Sequence, residues 1–77
     1  MATHQDILEL SVRLADRARA AEREQRPGLA ADLRSAALIA HRYAALMLAD
    51  EALVERNPAR RQALTEAAAS AWRGRTP

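Results

Sequence analysis

Residues 36–49 read AALIAHRYAALMLA, and only His41 and Arg42 interrupt the fourteen otherwise apolar or aromatic positions. Wound as a helix, the stretch is hydrophobic nearly all round, the pattern of a helix covered on more than one side. It predicts a central strut with the rest of the chain packed around it.

Composition supports an all-α fold. Of 77 residues, 20 are alanine, only two are glycine and three are proline. Alanine is the best helix former, while the aromatic and β-branched residues that favour strands are scarce. A chain of this length allows one domain with a thin core, so association with a partner is the natural source of extra burial. There is no cysteine, which rules out a disulfide or a thiolate metal site within the sequence.

All twelve basic residues are arginine. This fits the biased codon usage of a GC-rich, bacterial-type genome, although arginine also pairs bidentately with carboxylates and phosphates. The pI is near 10.4, yet the net charge is only +2. Acids and bases alternate along the chain, which describes a solvated, ion-paired surface more than a single-sign patch. No run of 18 apolar residues exists, and MATHQDILEL lacks the basic flank and apolar core of a signal peptide. The expectation is a cytoplasmic protein with no membrane contact.

Three helices are predicted, at about residues 4–25, 29–56 and 58–73, in one domain. Thr3 with Asp6 approximates a capping box at the start of the first. Its apolar arc holds Ile7, Leu14, Ala18 and Ala21, widened by Leu8, Leu10 and Ala15; Asp16 and Arg19 pair on its solvated back. Arg26-Pro27-Gly28 breaks the chain, with Gly28 expected to absorb the turn. The main stripe of the second helix is Leu29, Leu33, Ala36, Ala40, Tyr43, Met47 and Val54. Asp50 and Glu51 fall on or beside it, so the helix either bends there or opens to solvent. Asn57 is a good N-cap and Pro58 a good first residue for the third helix. Gly74 suits its stop, with residues 75–77 frayed beyond.

The polar residues that most need explaining are His41 and Arg42. The run from Arg34 through His41 to Tyr43 resembles the motif of HEPN-type ribonucleases. There an arginine precedes a histidine by a short spacer, and a tyrosine follows. Those enzymes are helical dimers with a composite RNA-cleaving site. The resemblance implies that Arg34 steadies a phosphate, His41 moves a proton and Tyr43 assists, chemistry suited to a histidine near neutral pH.

Metal binding finds no support, since His4 and His41 are the only histidines and no paired ligand spacing exists. No cofactor is expected. Arg56, Arg60 and Arg61 cluster where the third helix begins, and could hold a phosphate or an acidic side chain there.

The leading expectation is a three-helix bundle, a long hairpin plus a shorter helix, that dimerises through the second helix or binds another helical protein. Its function is then a non-catalytic protein–protein interaction or oligomerisation module, an accessory subunit or small regulator. Nucleic-acid binding or cleavage is the runner-up. The expected dimer seam is Leu38, His41, Ala45, Leu48 and Ala52, which repeat at 3,4 spacing behind the presumed core stripe.

Overall fold

A computed structural model describes residues 2–74, and the expected frayed tail at residues 75–77 lies outside them. Three helices follow in order: α1 (His4–Arg23), α2 (Pro27–Val54) and α3 (Pro58–Trp72). At 1.5 Å per residue, the 28 residues of α2 span about 42 Å. α1 and α3 each pack on α2, and their backbones do not approach one another. Cross-helix pairs give the directions. His4 meets Glu51 and Ser11 meets His41, so α1 runs antiparallel to α2. Arg42 meets Trp72, so α3 returns along the C-terminal half of α2. The result is an open, elongated bundle of 49 × 23 × 13 Å.

Local chemistry sets the ends of the helices. The Thr3 hydroxyl accepts from the Asp6 amide at 3.3 Å, and the Asp6 carboxylate accepts from the Thr3 amide at 2.9 Å. Both halves of the expected capping box are therefore present. The Asn57 side chain accepts from the amides of Ala59 and Arg60 at 2.9 and 3.2 Å, and Pro58 occupies the first turn, as expected. Gly74, at φ 77°, follows α3 in the left-handed conformation that ends many helices.

The first joint differs from expectation. Gly28 lies inside the first turn of α2, and Gln25 takes the positive φ, 60°. The Arg26 amide donates to the Ala21 carbonyl at 2.9 Å, and the Gln25 amide to Glu22 at 3.0 Å. That bond pair is a Schellman ending for α1, completed at Arg26, immediately before Pro27 opens α2. The helix therefore stops at Arg23, short of the expected residue 25.

The core is made mostly of alanine. Ala18, Ala21, Ala30, Ala37, Ala40, Ala44, Ala45, Ala52 and Ala71 are buried, with only Leu8 and Leu48 as large apolar companions. Leu8, Ala44, Ala45, Leu48 and Ala71 form one cluster, against which Ile7, Leu64, Ala67 and Ala68 pack. This changes the expected faces of α2 in part: Ala40 of the core stripe is buried and Leu29, Leu33, Ala36 and Met47 are half-buried. Tyr43 and Val54, placed on the core stripe by sequence, are exposed, while His41, Ala45, Leu48 and Ala52 are buried inside the chain. The reason is steric: alanine-lined surfaces let helices approach closely, so the small residues turn inward. α2 continues unbroken past Asp50 and Glu51, both exposed, with Glu51 held 3.0 Å from His4.

Two joint substitutions test this account. Gln25→Gly should stabilise the chain by about 1 kcal/mol, because a left-handed non-glycine residue is strained. In a domain this size that raises Tm by roughly 4–8 °C, read by thermal circular dichroism. Asn57→Ala should act the opposite way and cost about 1 kcal/mol. An unchanged melt for either variant would contradict the corresponding joint.

Candidate interaction surface

On α2, positions 39, 43, 46, 50 and 53 recur at alternating spacings of four and three. Such positions form one stripe along a helix. Here the stripe holds Ile39, Tyr43, Leu46, Asp50 and Leu53, and it lies exposed between the margins of α1 and α3. Ile39 is 69 % exposed, Tyr43 57 %, Leu46 62 % and Leu53 84 %. Single exposed apolar residues are ordinary, but four in register on a rigid helix make a contiguous patch. The patch widens into a groove of about 280 Å³ between α1 and α2, where Leu10 and Leu14 face Ala36, Ile39 and Tyr43. At one margin the Arg42 guanidinium sits 4.9 Å over the Trp72 ring and donates to the Trp72 carbonyl at 3.4 Å. That stacking holds the exposed tryptophan against α2.

The expected dimer seam lies elsewhere. Of its five residues, His41, Ala45, Leu48 and Ala52 are covered by this chain's own helices, and Leu38 is 37 % exposed. Those side chains cannot meet a second copy while α1 and α3 stay in place. Of the face that the sequence suggested for the core, Ala40 is buried, Leu29, Leu33, Ala36 and Met47 are half-buried, and Tyr43 and Val54 are left open.

His41 is positioned by a short chain of hydrogen bonds. The Ser11 hydroxyl donates to the Leu8 carbonyl at 2.6 Å, which commits its only proton. Its remaining role toward His41 Nε2, 3.1 Å away, is as acceptor. His41 therefore donates through Nε2, and Nδ1 is buried without a partner among the described residues. Ser11 is fully buried and His41 nearly so. The pair ties α1 to α2 within an otherwise alanine-lined interface.

The three residues of the ribonuclease resemblance are not brought together. Arg34 is paired with Glu22 of α1. Two residues apart on a helix, His41 and Tyr43 point about 160° away from each other. One is buried against α1, and the other stands exposed on the opposite face. A ribose hydroxyl would have to pass between α1 and α2 to reach the histidine.

The arginines at the second joint are largely engaged. Arg61 donates through Nε and Nη2 to the Glu55 carbonyl at 3.0 and 2.8 Å, and Arg60 lies 3.8 Å from the Glu55 carboxylate. A cation beside the carbonyl that closes α2 also complements the helix dipole. Arg56 is exposed. Among the described residues there is no group of three metal-ligating side chains and no helix long and apolar enough to cross a membrane.

No protein-family model, curated protein or solved structure matches this chain.

A double-mutant cycle tests the buried pair. Ser11→Ala leaves the His41 Nε2–H without an acceptor and should cost about 1–3 kcal/mol. Repeating it on a His41→Leu background should cost clearly less, since no stranded donor remains. Equal costs in both backgrounds, measured by urea unfolding, would mean that the hydrogen bond contributes nothing.

Proposed function

We propose that this chain is a non-catalytic helical interaction module, working in the cytoplasm as an accessory subunit or small regulator. One observation carries the reading: the exposed stripe of Ile39, Tyr43, Leu46 and Leu53 on the central helix, against which both others pack. Folding leaves these large apolar side chains in water while alanine fills the interior. That is an unfavourable distribution for an isolated small domain and a favourable one for a docking surface, whose centre is typically apolar and aromatic. Tyr43 at mid-stripe suits an anchor, because a tyrosine supplies large contact area with few rotatable bonds. The alternating charges elsewhere keep the remaining surface solvated and leave this stripe as the adhesive region.

Site-specific photo-crosslinking in the host cell tests the reading. A benzophenone amino acid replacing Tyr43 or Leu46 should form covalent adducts with a discrete product, whereas the same group replacing exposed Glu66 should not. Absence of adducts at both stripe positions would overturn the proposal.

A further inference from the structure

We infer that the occupant of this stripe is a second copy of the same chain, with the two α2 helices antiparallel and in one defined register. This rests on the interaction-module reading and adds the partner and its geometry.

The first support is surface area. A folded monomer of 8.5 kDa is expected to expose about 4,650 Å². This chain exposes 5497 Å². The excess, about 850 Å², is close to the roughly 800 Å² that one partner contributes to a stable interface. The radius of gyration agrees: 14.3 Å against about 11.5 Å for a compact domain of this length. The missing burial is thus the size of one side of a dimer.

The second support is the position of the stripe around α2. At 100° per residue, the α1-facing, α3-facing and open sectors of α2 lie about 120° apart. A third helix set in the open sector would complete the coat of α2, and the four–three spacing asks for a helix with the same repeat. The second copy's α2 has that repeat by identity. The flank toward α1 is apolar as well, with Met47 half-buried and Val54 exposed.

Charge then selects the direction and register. The stripe continues toward the N-terminus of α2 through Ala36 to Asp32, so a carboxylate stands near each end, Asp32 and Asp50. Parallel pairing would set Asp50 against Asp50 and Asp32 against Asp32, two like-charge contacts at a desolvating seam. An antiparallel pairing of Ile39 with Tyr43 would bring Asp32 against Asp50. Shifting by one heptad toward the C-terminal half of α2 removes both conflicts; the opposite shift separates the carboxylates too, but carries Leu53 past the end of the partner helix and loses its burial. Tyr43 then packs on Leu46 of the second copy, Ala36 on Leu53 and Ile39 on the stem of Asp50, while Asp32 falls beyond the partner helix. In this register Arg42 of each copy, still stacked on Trp72, lies within one turn of Asp50 of the other along the seam, so a positive charge stands near each Asp50 by symmetry. A shift of one further heptad would carry Ile39 past the end of α2 and lose the centre of the seam.

The test uses the full chain, whose lack of cysteine permits unambiguous single labels. Light scattering should give twice the 8.5 kDa chain mass, and Leu46→Glu should return it to 8.5 kDa with an unchanged helical spectrum. An equimolar mixture of Ala36→Cys and Leu53→Cys chains should form the mixed disulfide on mild oxidation. Leu53→Cys alone should not, because in this register its two copies lie about 25 Å apart along the seam. Should Leu46→Glu unfold the chain, the disulfide pattern still decides the matter. Self-crosslinking of Leu53→Cys without the mixed product would overturn the antiparallel register. A wild-type mass of 8.5 kDa at millimolar concentration would overturn the second copy altogether. The interaction-module reading would survive that result if Tyr43 photo-adducts had a different mass, and would fall with it if no adducts formed.

Discussion

Close packing through alanine is the constraint on which the rest of this structure depends. Nine of the eleven buried apolar residues are alanine, and α2 supplies six of the nine. A buried methylene is worth about 0.8 kcal/mol, whereas a fully buried leucine contributes about 1.5–3 kcal/mol. An alanine interface therefore gains little from hydrophobic transfer and much from the proximity it allows. Once α1 and α3 are seated against the small side chains, no room remains between them and α2 for Ile39, Tyr43 or Leu46. Those residues are displaced to the outside by geometry, and the open stripe is the direct complement of the alanine core.

An interface this thin needs exact placement, and the polar groups provide it. The Thr3–Asp6 capping box starts α1, and the Schellman bonds at Gln25 and Arg26 end it immediately before Pro27. The turn can therefore be only a few residues long, which forces the antiparallel hairpin. Ser11 and His41 then fix the sliding register of α1 along α2 from the middle, where alanine alone would be permissive. At the far end, the Asn57 cap and the Arg61 fork on the Glu55 carbonyl set the angle at which α3 turns back. Each device is local, and together they hold three helices whose mutual burial is modest.

The helices and their joints were legible in the sequence because their causes are local. Asn57-Pro58, Thr3 with Asp6, and Gly74 act through their own backbone neighbours, and all three behave as their chemistry requires. Gln25 was not legible. Its left-handed turn follows from where Pro27 must begin α2, and the nearby Gly28 drew attention away from it. The orientation of α2 was also hidden, because a helix apolar on every side has almost no preferred face by hydrophobicity. Side-chain size carried the missing information. Ala37, Ala44, Ala45 and Ala52 occupy the face where neighbours must come close, and Ile39, Tyr43 and Leu46 the face where they need not. Side-chain volume as well as polarity moves Tyr43 and Val54 off the core face and Ala45, Leu48 and Ala52 onto it. The buried Ser11–His41 pair lies thirty residues apart in the chain, and nothing local announces it.

The same constraint bears on why Asp50 stands in an otherwise apolar stripe. A charged residue at such a position weakens association and is disfavoured if stickiness alone mattered. Its value lies in what it forbids. Without Asp32 and Asp50, Ile39, Tyr43, Leu46 and Leu53 could pair in parallel or slip by a heptad with nearly equal burial. In the proposed pairing, two carboxylates placed unsymmetrically about Tyr43 penalise the parallel and the unshifted antiparallel alternatives, in which they would face each other. The alanine core thus accounts for the open apolar face, and in the proposed pairing the two aspartates would limit how two copies of it can meet. Were a second copy to cover that face, the folded population would depend on the chain's own concentration, because burial at the seam would add to burial within the chain.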